Sequence, residues 1–195
     1  MNYLGHAYLS FNIPEIIVGN MISDFVKGKA RFGYTVGIQQ GIMLHREIDN
    51  YTDNHPAIKE AKAVFRSVYR LYSSPIVDVA LDHFLANDST IFNNNTLFDF
   101  SQTIYTILDA HTSHLPQNFH YLYKHMRANN WLFHYKTKEG ISNSIKSLIN
   151  RAKFISNHQP ALTILEQEYR FLEACYNTFI IDVKSFAKSQ LNEHY

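Results

Sequence analysis

One cysteine, Cys175, in 195 residues leaves no disulfide framework and no cysteine-based zinc site. That scarcity points to a reducing compartment. No Gly-rich loop of the dinucleotide or P-loop kind is present, nor a Gly-x-Ser-x-Gly elbow, so neither phosphate-cradling loops nor hydrolase-elbow chemistry is on offer. No window holds eighteen consecutive apolar residues, which excludes an apolar helical span. Met1–Phe11 has no early Lys or Arg and no apolar run ending at a small-residue cleavage site, the marks of a secretory signal. Strand-like alternation bounded by hairpin turns is also lacking. The expectation is a cytoplasmic protein that meets neither membrane nor nucleic acid.

What is there reads as helix. Apolar residues make up 46% of the chain and charged residues 18%, ordinary for a globular protein long enough to bury a sizeable core. Met1–Phe11 suits a short buried helix. Pro14 suits a first helical turn, and the apolar spacing of Ile16, Ile17, Met21, Ile22 and Phe25 carries that helix to a stop at Gly28. Further helices are expected from about Thr35 to Tyr51–Asn54, then over Pro56–Tyr72, Pro75–Asn87, Leu97–His114, Pro116–Leu132 and Ser142–Phe154. A last long one runs from about Pro160 to Leu191. The fold class is all-α, a single-domain multi-helix bundle spanning residues 1–195.

The chemistry-bearing residues sit on these apolar helices. In GIMLHREIDNYTDNHP, Gly41–Pro56, His45 and Asp49 are four apart and share a helix face; Asp53 follows at the same interval, unless it caps the helix at Pro56. Asp24 falls near a helix end, where the dipole disfavours an acid. Asp78 and Asp82 stack at i,i+4 beside His83 on a strongly apolar helix, where like charges need a cation or a shared proton between them. His6 is the odd member of an apolar segment. Imidazole and carboxylates together suit Mn²⁺, Fe²⁺ or Zn²⁺ better than Ca²⁺, and such ions activate water and polarise phosphoryl oxygens. Phosphoester hydrolysis is the natural reaction class. Cys175, within the apolar stripe of the last helix, reads as core.

Charge is uneven although the net value is +1. Asp78–Asp109 holds five Asp and no Lys or Arg, whereas Lys124–Lys153 holds seven Lys or Arg against Glu139. Lys59–Arg70 adds four basic residues against Glu60.

The blocks MNYLGHAYLS, GNMISDFVKG (Gly19–Gly28), GIMLHREIDNYTDNHP with the following KEAKAVFRS, and VDVALDHFLA (Val77–Ala86) resemble the bacterial acyl carrier protein phosphodiesterases. They cover most of the first ninety residues, and Trp131–Leu132 resembles a weaker later block. The resemblance implies a divergent, HD-phosphohydrolase-like all-α fold. It also implies Mn²⁺-assisted hydrolysis of the phosphodiester joining 4′-phosphopantetheine to a serine of acyl carrier protein. His6, Asp24, His45, Asp49, Asp53, Asp82 and His83 fall in the matching blocks. Here the usual His-then-Asp order is reversed as Asp82–His83. Tyr8 stands where the family often has a second His, and Asn87–Asp88–Ser89 replaces a more basic, aromatic continuation.

On that footing the expected metal ligands are Asp24, His45, Asp82 and His83. Asp49 or Asp78 would orient the water or take its proton, and His6 would serve as ligand or as acid to the leaving serine oxygen. An acidic carrier protein would dock on basic residues: Lys27, Lys29, Arg31 and Arg46 beside the site, and Lys59, Lys62, Arg66 and Arg70 on the next helix. Two other readings stay open, a related hydrolase of nucleotides or other small phosphoesters, and a non-enzymatic helical adaptor.

Overall fold

Pro14 and Thr35 start the two helices against which the rest is arranged. The structure, a computed structural model, describes residues 1–152, 155 and 157–194. Pro14 opens α2 (Pro14–Ile22), where its missing N–H costs nothing. The Thr35 hydroxyl accepts the Ile38 N–H and caps α3 (Val36–Asn54). These two helices cross at glycines. A Cβ on Gly19 would lie 2.8 Å from Gly41 Cα, and one on Gly41 would lie 2.9 Å from Gly19 Cα. Only glycine lets the two backbones touch here. The crossing sets Asn20 of α2 against His45, one turn beyond Gly41.

The remaining helices are α1 (Tyr3–Tyr8), α4 (Pro56–Tyr69), α5 (Ser73–Asn87), α6 (Asn94–Ala110), α7 (Gln117–Ala128), the single turn α8 (Trp131–His134), α9 (Lys138–Asn150), α10 (Gln159–Gln167) and α11 (Tyr169–His194). The helix α11 packs along α3, α4 and α5; α5 in turn packs on α1, α4 and α9. One continuous core results, with Tyr69, Tyr105, Tyr176, Phe65, Phe119 and Phe179 among its largest fully buried side chains. Among the described residues there is no strand, and no helix is long and apolar enough to cross a membrane. The architecture is one all-α domain.

Departures from the expected helices have local causes. The helix begun at Pro14 stops at Ile22, because the Ser23 hydroxyl bonds to the Ile42 carbonyl and a 3₁₀ turn takes over Ser23–Phe25. Asp24 therefore leaves the helix. Arg70, at φ 48°, ends α4 before a 3₁₀ turn over Arg70–Tyr72. A reciprocal capping box between Asn93 and Thr96 starts α6 three residues early. The long C-terminal stripe is two helices parted at Glu168. Thr137 caps α9, which ends at Asn150; Phe154, the expected end, and Lys153 of the basic run lie outside the described residues.

Candidate metal centre

His45 is buried on α3, and its Nδ1 lies 2.8 Å from the Asn20 carbonyl and 3.2 Å from Asn20 Oδ1. The Asn20 amide is fixed in that sense because its Nδ2 donates to the His6 carbonyl and to the Ser10 hydroxyl. Two acceptors facing Nδ1 assign it the proton. Nε2 is left to face the cleft, the arrangement of a metal-ligating histidine whose other nitrogen is held by a second partner. There it meets Asp49 Oδ2 at 3.1 Å and Asp24 Oδ1 at 3.4 Å.

His6 completes the cluster from α1. Its ring stacks on that of His45, centroids 3.9 Å apart and 15° from parallel, and its Nε2 lies 3.2 Å from Asp49 Oδ1. The His6 ring is buried, yet neither of its nitrogens makes a hydrogen bond of good geometry. An unsatisfied buried imidazole is costly, and a cation shared with His45 and Asp49 would satisfy it. One ligand atom from each of His6, His45 and Asp49 lies within 4.8 Å of the others, a spacing compatible with one divalent ion.

The electrostatics agree with that use. Burial and the neighbouring His45 charge push His6 down to about 4, so its ring is neutral at pH 7. Burial opposes the His45 charge, but bonds to Asp24 and Asp49 prevail and raise it to about 9 when no metal is present. Burial likewise opposes ionisation of Asp49, yet its bond to His45 and the close His6 ring hold it well below the carboxylate range. The His45 hydrogen bond lowers Asp24, which stands exposed at the mouth. All four residues line a cleft of about 650 Å³.

A family model described as acyl carrier protein phosphodiesterase matches residues 1–183. The chain belongs to the acyl carrier protein phosphodiesterase family. A relative of that name from Yersinia pestis is 33% identical over 92% of this chain and 93% of its own length. One from Yersinia enterocolitica is 29% identical over 97% of this chain and 99% of its own, and one from Salmonella agona 30% over 91% and 89%. No solved structure matches, and the expected HD-phosphohydrolase-like character of the fold is not shown.

Within this member of the acyl carrier protein phosphodiesterase family, the expected site residues divide. Asp24, His45, Asp49 and His6 come together; Asp78, Asp82 and His83 do not join them. Fully buried, Asp82 accepts the backbone N–H groups of Asn2, Leu4 and Gly5 at 2.8–3.1 Å and so holds the start of α1. Burial pushes its carboxyl up to about 7 against those bonds. Asp78 lines the cleft, but its Oδ1 binds the Met1 ammonium at 3.0 Å; that cation relieves the Asp78–Asp82 repulsion. The His83 ring lies between the Tyr135 carbonyl, 2.7 Å from Nδ1, and the Tyr169 hydroxyl, 3.1 Å from Nε2, outside the cleft lining. In place of a cap, Asp53 forms an ion pair with Lys62 at 2.6 Å.

That pair takes Lys62 out of the docking set, since its side chain is buried against Asp53. Arg46 is half-buried and donates to the Val26 carbonyl. Lys27 and Lys29 are exposed on the segment that joins α2 to α3, beside half-buried Arg31 and exposed Phe32. Lys59 and Arg66 are exposed on α4, and Arg70 is exposed on the 3₁₀ turn that follows it. Sequence reading passed over Asn20, which orients His45, because nothing in the string EIIVGNMIS reveals an Asn facing inward.

Proposed function

We propose that this protein hydrolyses the phosphodiester between 4′-phosphopantetheine and a serine of acyl carrier protein, releasing apo carrier protein and free 4′-phosphopantetheine. Family membership supports the substrate. The observation that carries the chemistry is the His6–His45–Asp49 cluster, whose buried His6 ring lacks any protein partner of good geometry.

His6, His45 and Asp49 would hold a divalent cation, with Mn²⁺ the first candidate for a mixed imidazole and carboxylate set. Bound there, such an ion supplies an activated water at neutral pH and polarises a phosphoryl oxygen. The protein's own groups do the rest. Asn20 fixes the His45 tautomer, so that Nε2 presents its lone pair to the cleft. Asp49 contacts both histidines and sets the separation of their rings. His6, neutral down to about 4, is a lone-pair donor and has no imidazolium proton for the leaving serine oxygen. Asp24, open to solvent beside His45 Nε2, would orient the attacking water. Asp78, bound to the Met1 ammonium, gives up that role.

Docking of the acidic substrate protein would use Lys27, Lys29 and Arg31, which lie on the segment following Asp24. The experiment is a carrier-protein assay: chelator-treated enzyme, holo carrier protein and added Mn²⁺, with release of 4′-phosphopantetheine followed by mass spectrometry. Turnover of small phosphodiesters with none of holo carrier protein would favour the phosphoester reading. Neither turnover nor metal uptake would favour the adaptor.

A further inference from the structure

The cleft is far larger than the metal cluster needs, and one face of α9 lines it too. Gly140, Asn143, Ser144, Ser147, Leu148 and Arg151 all line it. Their spacing of three, one, three, one and three residues puts them on a single face, running about 16 Å at 1.5 Å per residue. Ile141, Ile145 and Ile149 on another face are buried in the core, which fixes the rotation of the helix. The wall is therefore presented to the cleft by packing.

Its chemistry changes along its length. The middle is uncharged and hydrogen-bonding: Asn143, Ser144 and Ser147. Arg151, at one end, is the only Lys or Arg among the described lining residues, in a cleft that also holds Asp24, Asp49, Asp53, Asp78 and Glu139. Its Nε donates to the Ser147 carbonyl at 3.2 Å, which steadies the guanidinium. Arg151 lines the same cleft as His6, His45 and Asp49. The one Lys or Arg side chain of the described lining thus suits a phosphoryl group, and the neutral stretch leads away from it. The His6–His45–Asp49 cluster lines the same cleft.

We infer that the cleft face of α9 seats the prosthetic arm. Arg151 holds the phosphoryl group, and Ser147, Ser144 and Asn143 line the path of the chain beyond it. This rests on the hydrolysis reading for the identity of the arm. A pantetheine chain bears two amides and a hydroxyl, no charge, and extends about as far as four to five residues of backbone, ~16 Å. Length, polarity and the single Lys or Arg side chain of the described lining all match. Arg151 is suited to the phosphoryl oxygens because its planar fork offers paired donors, which a lysine lacks.

Calorimetric titration of the intact protein with free 4′-phosphopantetheine, and separately with inorganic phosphate, tests this without relying on turnover. Ser147→Leu fills the path from an open helical face and keeps helix propensity; circular dichroism melting checks its fold. The expected result is a dissociation constant for 4′-phosphopantetheine raised about tenfold or more in Ser147→Leu, with a clearly smaller change for phosphate. Arg151→Ala weakens both ligands, and Arg151→Lys recovers part of the loss. Wild-type affinity for 4′-phosphopantetheine in Ser147→Leu and Asn143→Ala would overturn the inference, as would equal losses for the two ligands in Ser147→Leu. If wild-type protein binds 4′-phosphopantetheine with this pattern yet never cleaves holo carrier protein, the hydrolysis reading fails and the arm site stands. If it cleaves holo carrier protein while Ser147→Leu binds the arm normally, only the arm site fails.

Discussion

An alanine at Gly41 would drive its methyl into α2. The added Cβ would meet Gly19 Cα and Ile16 Cα at 2.9 Å, about half an ångström inside ordinary contact, with the Ile16 carbonyl closer still. These neighbours are backbone, so relief requires the two helices to part by half an ångström to an ångström. A gap of that size forfeits a quarter to a half of the dispersion well for facing atoms, and overpacking of this kind costs about 1–3 kcal/mol. For a chain of this length the melting temperature should fall by about 3–10 °C. The consequence reaches the site, because the displaced surface carries Asn20 and the moved helix carries His45. Their 2.8 Å hydrogen bond would stretch, freeing the His45 ring to turn. Loss of such an orienting partner typically lowers metal affinity about 10- to 100-fold. Differential scanning calorimetry and Mn²⁺ titration of Gly41→Ala read the two effects. Wild-type stability together with wild-type affinity would refute the reasoning.

Four further outcomes follow from the geometry. Metal-free protein should lose stability as pH rises from about 6.5 towards 9, because the folded state keeps a His45 proton that the unfolded chain releases at about 6.5. Below 6.5 two groups oppose one another: folded His6 refuses a proton that the unfolded chain binds, and buried Asp82 keeps one that the unfolded chain releases, so the curve is much shallower there. Melting curves that are flat from pH 6.5 to 9 would contradict the His45 assignment. Asp82→Ala strips three backbone N–H groups of their acceptor and should cost about 3 kcal/mol or more, while the folded fraction still binds metal; loss of metal with unchanged stability would make Asp82 a ligand after all. Double replacement Lys27→Glu and Lys29→Glu should lower kcat/KM on holo carrier protein about tenfold and flatten its salt dependence, and steep salt dependence retained in the variant would count against that docking surface. Asp49→Asn should abolish metal uptake measured by elemental analysis, since it removes the one carboxylate that touches both histidines.

Most of the helices can be read directly from the sequence because their apolar stripes, prolines and caps agree; Pro14, Thr35 and Pro56 each stand at the start of a helix or one residue before it. What escapes it is tertiary. Nothing local says that Ser23 will bond to the Ile42 carbonyl and turn Asp24 out of the helix, or that α11 begins anew after Glu168. The same holds at the site. His45 and Asp49 are visible as an i,i+4 pair on one helix. His6 joins them only through the stacking of α1, and Asp82 looks like a ligand until the N-terminus of α1 is placed on top of it. Acids on an apolar helix signal a buried partner, and here backbone N–H groups meet Asp82 and an ammonium meets Asp78.

The most direct test of the account is Mn²⁺-dependent release of 4′-phosphopantetheine from holo acyl carrier protein by chelator-treated enzyme, measured for wild type and for His45→Ala and His6→Ala. The account predicts no release without metal, restoration by Mn²⁺ in wild type, and loss of that restoration in both variants although they stay folded. Undiminished release by His45→Ala, or by metal-free wild type, would contradict it.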